Sequence, residues 1–135
     1  MFFSFKEYRQ QQAHIQIGVH SIDGFGAANR INSLNTYEQN YDKLMETVKK
    51  YIPDLTIATT TKVVQRGNLT SIDKHYTEEI IKRNEIAMRI AQKHKLKTND
   101  LFTSMYNFPQ RDNVHFTKEA IQEMAKYVAK AMDLI

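Results

Sequence analysis

Cysteine is absent from this chain of 135 residues, which excludes disulfides, thiolate catalysis and cysteine-ligated metals. The chain also lacks any apolar run long enough to span a membrane. Its apolar start, residues 1–5, is too short for a secretory signal, and the charged Lys6 and Glu7 follow it directly. We therefore expect a cytoplasmic protein with no membrane partner. If the sequence is part of a longer protein, an export signal could precede it.

Charge of neither sign dominates: 19 Lys and Arg stand against 15 Asp and Glu, a net charge of +4. The densest basic patch, residues 93–97, predicts a solvated helix end, with a phosphate-binding patch as the alternative. No basic stripe is interleaved with aromatic residues, so we expect no nucleic-acid partner. The five histidines show no metal-ligand spacing, and we expect neither a metal nor another cofactor.

The length and a hydrophobic content of 41% predict one globular domain over residues 1–135. The apolar pattern alternates between strand and helix periods, which favours an α/β fold around a parallel sheet. The first half of the chain predicts a strand at 13–20, a loop at 21–35, a helix from a Thr36 cap to Ile52, a strand at 55–61 and a loop at 63–70. The second half predicts a helix at 72–94, a strand at 96–99 and a turn or half-helix at 100–106. Thr117 caps the predicted final helix, whose inner face carries Ile121, Met124, Ala125, Val128 and Met132.

The segment 111–117 carries the most chemistry, because it sets Asp112 three residues before His115 on a loop that opens the final helix. A carboxylate at that spacing can accept a hydrogen bond from one ring nitrogen of His115. The other nitrogen is then free to take a proton from a nucleophile. The alternatives are structural: Asp112 caps the loop or the helix dipole, and His115 is a surface side chain at a helix start.

Several segments occur in the order found in the SGNH hydrolases, also called the GDSL lipase/esterase family, and the chain resembles that family from about residue 13 to its end. The similar segments are 14–20, a strand that delivers Gly18; 57–63, a core strand; Arg83 to Ala87, an Arg-Asn-x-x-Ala signature; 99–102, with its Asp-Leu; and 112–116, with Asp-x-x-His.

This resemblance implies an incomplete flavodoxin-like three-layer α/β/α SGNH-hydrolase fold, covering the C-terminal two-thirds of the family's domain. It implies that His115 is the general base of a catalytic triad and that Asp112 orients it. Gly18 and His20 would contribute to the oxyanion site or its surroundings, although His20 also fits a structural role at a strand end. Arg83 and Asn84 fit a structural role better than a catalytic one.

The chain departs from the family at the nucleophile, since no Gly-Asp-Ser sequence occurs and none of its five serines lies on a strand-to-helix turn of that kind. Two functions therefore stay open. The first is the C-terminal part of a serine esterase that acts on small esters or acylated sugars. The second is a catalytically inactive, truncated remnant that serves as an interaction or oligomerisation module, with a homo-oligomer formed through an exposed sheet edge.

Overall fold

The structure, a computed structural model, describes residues 12–16 and 33–135. Most of the described elements follow the predicted order of strands and helices, and the exception is a pair of short strands between residues 64 and 72. In chain order they are β1 (Gln12–Ile15), α1 (Leu34–Tyr51), β2 (Asp54–Ala58), β3 (Val64–Gln65), β4 (Asn68–Ile72), α2 (Lys74–His94), β5 (Lys97–Asn99), α3 (Leu101–Met105) and α4 (Lys118–Ala131). None of the helices in these ranges is long and apolar enough to cross a membrane.

A parallel three-stranded sheet in the order β1–β2–β5 forms the centre of the described fold. The middle strand, β2, is almost completely buried because helices cover both of its faces. Its neighbouring residues Ile57 and Ala58 point to opposite faces of the sheet. Ile57 packs against one hydrophobic cluster and Ala58 against another.

Those two clusters define the helical layers on either side of the sheet. On the Ile57 side, α1 and α2 pack against each other through residues such as Tyr41, Met45 and Ile90. On the Ala58 side, α3 and α4 pack through a smaller cluster that contains Met105. The result is a three-layer α/β/α arrangement with a parallel sheet, which confirms the predicted fold class.

The segment from Val63 to Thr70 is not the plain loop that its Gly67-Asn68 pair suggested. It forms most of an antiparallel hairpin in which β3 pairs with β4 across a turn at Arg66 and Gly67. Val64 is fully buried at the start of this hairpin. The Gly67-Asn68 pair correctly indicated a reversal of the chain. The residues on either side of the turn form paired strands, because Val64 anchors β3 in the core.

Two helix starts lie away from the predicted positions. Ser33, rather than Thr36, caps α1: the Ser33 hydroxyl accepts a hydrogen bond from the Thr36 backbone N–H at 3.1 Å. Asp73 caps α2 in the same way, accepting from the N–H of Tyr76, so this helix begins at Lys74 instead of Ile72. In both cases a short polar side chain directly before the first helical residue satisfies a free amide, so α1 starts earlier than predicted and α2 starts later.

The last helix, α4, begins after Thr117 as predicted, with the Thr117 hydroxyl accepting from the N–H of Ala120. Its inner face is rotated from the predicted one. Ala120 is buried and Met124 packs beside it, whereas the side chain of Ile121 is 44% exposed. Ala125 is also exposed. Residues 120, 124 and 128 therefore make the contact with the sheet layer.

Candidate active site

The carboxyl ends of the strands are joined by a hydrogen-bond network centred on Thr59, the residue after β2. The Thr59 hydroxyl donates to the Asp100 carboxylate at 2.9 Å and accepts from the Phe102 backbone N–H at 2.9 Å. Its carbonyl accepts from the side-chain amide of Gln16 at 2.9 Å, just beyond β1. Burial would raise the pKa of Asp100, but hydrogen bonds from Thr103 and Thr59 outweigh it and lower that pKa.

Asn84 fixes the next residue of the same edge. Its side-chain amide accepts from the Thr60 N–H at 2.8 Å and donates to the Thr60 carbonyl at 2.9 Å. The α2 side chain thus replaces the strand partner that Thr60 lacks once β2 has ended. The neighbouring Arg83 is buried and pairs with Glu79 at 2.8 Å. These contacts favour a structural role for both Arg83 and Asn84.

Asp112 and His115 lie together on an exposed turn before α4. His115 Nδ1 is 2.9 Å from Asp112 Oδ2 and 3.1 Å from Oδ1. Because an ionised carboxylate can only accept, Nδ1 carries the proton in this pair. When the ring carries only this proton, Nε2 presents a lone pair, and no hydrogen bond to Nε2 is seen from any described residue. The His115 side chain is 61% exposed.

The Asp112 carboxylate is also held by the backbone of its own turn. Its Oδ1 accepts from the N–H of Val114 at 2.9 Å and from the N–H of His115 at 2.7 Å. Burial would raise the pKa of Asp112, but these two amides and the His115 ring outweigh it and lower that pKa to about 2. Asp112 is therefore an anion at neutral pH. The turn-capping role and the contact with His115 occur together in one side chain.

Backbone contacts on both sides fix the turn in place. Gln110 and Phe116 form an antiparallel bridge, and the Arg111 N–H donates to the His115 carbonyl at 2.8 Å. The Thr117 N–H donates to the Pro109 carbonyl at 3.1 Å, which ties the helix cap to the start of the loop. The buried ring of Phe116 joins the cluster beneath α4. Docking of this helix thus determines where His115 stands.

A second contact joins the start of the loop to the end of β2. The Lys62 ammonium donates to the Tyr106 carbonyl and lies 4.9 Å from the centre of the Tyr106 ring. Burial lowers the pKa of Lys62. Sequence reasoning gave Lys62 no role, because its position beside the loop depends on folding.

A groove of about 620 Å³ lies beside the carboxyl ends of β2 and β5. Residues of α2 and α3 line most of it: Thr59, Ile81, Asn84, Glu85, Met88, Arg89, Asp100, Phe102 and Thr103. Asp112 and His115 are not among the lining residues. Phe102, which lines the groove, and Val114, which belongs to the turn, both pack against Val63 and Ile80. The groove and the turn therefore lie beside the same small hydrophobic cluster.

The remaining predicted site residues, Gly18 and His20, lie outside the described residues. His14 is described: its Nε2 is 3.1 Å from the side-chain amide nitrogen of Asn99. Burial lowers the pKa of His14. A neutral ring can accept from that amide, which gives His14 a structural role between strands.

No protein-family model matches the sequence, and no curated protein is detectably similar to it. Solved structures do share its fold. A catalytic mutant of an acetylxylan esterase from Geobacillus stearothermophilus superimposes with a TM-score of 0.72 at 14% identity, over 97% of this chain and 63% of that one. An alpha/beta hydrolase enzyme from the metagenome of Lake Arreo, Spain, gives 0.70 at 13% identity, over 91% and 60%.

A lipase/acylhydrolase from Enterococcus faecalis gives a TM-score of 0.66 at 15% identity, over 87% of this chain and 58% of that one. The chain therefore shares the α/β fold of part of each of these three enzymes. It spans only about 60% of the length of these enzymes. Their sequence identity to this chain is low enough that the similarity establishes the fold alone.

Proposed function

We propose that the chain is the C-terminal part of an SGNH/GDSL-type serine ester hydrolase, with His115 as its general base and Asp112 as the carboxylate that orients it. The observation that carries the proposal is the contact of 2.9 Å between Asp112 and His115 Nδ1. It leaves Nε2 as the basic atom of a ring whose orientation is fixed. The fold shared with esterases and an acylhydrolase supports the same reaction class.

In this proposal the nucleophilic serine comes from a segment that this chain does not contain. His115 Nε2 takes the proton of the serine hydroxyl as its oxygen attacks the ester carbonyl, and the imidazolium then protonates the leaving alcohol. Water repeats the cycle on the acyl-enzyme and releases the acid. Asp112 remains an anion because its pKa is about 2, so it stabilises the imidazolium in both steps.

The proposed substrates are small esters or acylated sugars, and acetylated carbohydrate is one candidate. An acetylxylan esterase and an acetyl-xylooligosaccharide esterase are among the structures that share the fold. Gly18 and His20 retain their proposed place near the oxyanion.

The competing proposal is an inactive interaction module. The absence of a Gly-Asp-Ser sequence from all 135 residues favours it.

Complementation distinguishes the two proposals. The part of the acetylxylan esterase that this chain does not cover would be fused to the N-terminus of this chain. The fused part would be chosen to carry a serine nucleophile. Hydrolysis of p-nitrophenyl acetate by the fusion would then be measured. We expect saturable turnover and fluorophosphonate labelling of the added serine, both abolished by His115→Ala. His75→Ala is the matched control, because His75 is also an exposed histidine, in the first turn of α2, and it should leave both signals unchanged.

Folding of each fusion would be checked by circular dichroism and its melting temperature. A folded fusion that labels equally in His115→Ala and His75→Ala contradicts the general-base role. A folded fusion with neither turnover nor labelling supports the inactive module.

A further inference from the structure

Gln110 is a buried polar side chain beside the Asp112–His115 turn, with only 6% of its surface exposed. Its side-chain nitrogen, Nε2, lies 3.3 Å from the carbonyl oxygen of Asn113 and 3.5 Å from that of Lys62. Both neighbours can only accept hydrogen bonds, so the orientation of the amide is settled: Nε2 faces them and donates. Gln110 thereby links the turn to the segment that follows β2.

The carbonyl of Asn113 and the N–H of Val114 belong to one peptide unit, which is planar. On its oxygen side, this unit accepts from Gln110 Nε2 and from the Val64 N–H, the latter at 2.9 Å. On its nitrogen side, it donates to Asp112 Oδ1 at 2.9 Å. Fixing the carbonyl therefore fixes the direction of the N–H, and donors on the carbonyl strengthen that N–H as a donor.

We propose that Gln110 is a positioning residue for the Asp112–His115 pair: together with Val64, it holds the Asn113–Val114 peptide so that the amide points at the Asp112 carboxylate. The carboxylate, gripped by this amide, then holds the His115 ring. The role of Gln110 in positioning a catalytic pair rests on the proposed hydrolase function. Its role in holding the Asn113–Val114 peptide does not depend on catalysis.

The unpaired oxygen of the Gln110 side-chain amide supports a positioning role over a role in filling space. Gln110 Oε1 is buried and has no hydrogen-bond partner among the described residues. An unpaired buried acceptor destabilises a fold, so an apolar side chain of similar length would fill the same space at lower cost. The donor nitrogen is the part of the side chain that a Met in its place could not supply.

The substitution Gln110→Met tests the proposal, because it keeps the length of the side chain and removes the donor. The pKa of the Asp112 carboxyl would be followed by carbon-detected NMR over a pH titration. We expect it to rise from about 2 by at least about half a unit, since its amide partner loses alignment. The Val114 amide should exchange with solvent at least about tenfold faster.

Gln65→Met is the matched control. Gln65 Nε2 also approaches a carbonyl, that of Ile72 at 3.4 Å, but Gln65 is exposed and lies on the hairpin. The control should change neither the Asp112 pKa nor the Val114 exchange. A Gln110→Met protein that melts lower yet keeps both values would show that Gln110 only fills space, and would overturn the proposal.

A measurement on the unaltered protein covers the case in which Gln110→Met does not fold. The side-chain amide protons of Gln110 should exchange at least about tenfold more slowly than those of Gln65. Equal exchange rates would overturn the proposal. None of these measurements uses ester turnover, so failure of the hydrolase proposal and failure of the positioning proposal give different results.

Discussion

Replacing Asn84 with alanine should destabilise the fold through Thr60, whose N–H and carbonyl both bond to the Asn84 amide. Thr60 is only 8% exposed, so both backbone groups would lose their partners in a mostly buried place. An unsatisfied buried group costs about 1–3 kcal/mol. Asn84 lines the groove beside β2, where water can replace part of the loss, so we expect about 2–4 kcal/mol in total.

Alanine also favours a helix over asparagine by about 0.5 kcal/mol, which reduces the expected net loss for Asn84→Ala to about 1.5–3.5 kcal/mol. For a chain of this size, each kcal/mol corresponds to about 3–5 °C in melting temperature. Urea unfolding followed by circular dichroism gives the free energy, and a thermal melt gives the midpoint. The midpoint should fall by roughly 5–17 °C.

Asn40→Ala is the matched control, because Asn40 is an exposed asparagine inside α1. It should gain the helix-propensity term and lose no buried bond, so its unfolding free energy should stay equal or rise slightly. If Asn84→Ala and Asn40→Ala differ by less than about 0.5 kcal/mol, which is the spread of ordinary surface substitutions, the clamp on Thr60 contributes little and the reasoning is wrong.

Three further predictions concern acid stability, activity and assembly. The pKa of Asp112 is lower in the folded chain than its ordinary value of 3.8, so the contribution of Asp112 to stability is present above about pH 4 and is lost as the pH falls toward 2. Over that pH range, the unfolding free energy of Asp112→Asn should fall less steeply than that of the unaltered protein. Equal slopes would contradict this prediction. The 135-residue chain alone should show no saturable hydrolysis of p-nitrophenyl acetate and no stoichiometric fluorophosphonate labelling, because its five serines include none on a Gly-Asp-Ser turn; labelling of one serine would refute this. If the chain is an interaction module, it should self-associate through a sheet edge, and a monomer in sedimentation at low micromolar concentration would count against this.

The order of the helices and of the strands β1, β2 and β5 follows from the sequence because it depends on local periodicity and capping, whereas the β3–β4 hairpin was predicted as a loop. The regular apolar spacing of α1 and the buried run of β2 are visible without a structure, and so is the Thr117 cap of α4. Exact starts were less secure: Ser33 and Thr36 are both good caps in isolation, and only the path of the folded chain selected Ser33.

The contact between Asp112 and His115 was predictable for the same reason, since the two residues are only three positions apart in the chain. Sequence alone could not assign Gln110 or Lys62 a place at the site. Gln110 Nε2 reaches the Lys62 carbonyl across 48 residues, and Asn84 reaches Thr60 across 24. Such pairs carry no periodic signal, because each depends on how the layers pack.

The inner face of α4 shows the same division between local and tertiary causes. Its amphipathic pattern predicted a helix correctly, but Ile121 and Ala120 differ by only one position, or about 100° around the axis. Burying Ala120 in place of the larger Ile121 is explained by the close approach of α4 to α3 and Phe116. Sequence thus determined that a capped helix follows the Asp-x-x-His turn, whereas the packing of that helix against the sheet decided which side it buries and where His115 stands.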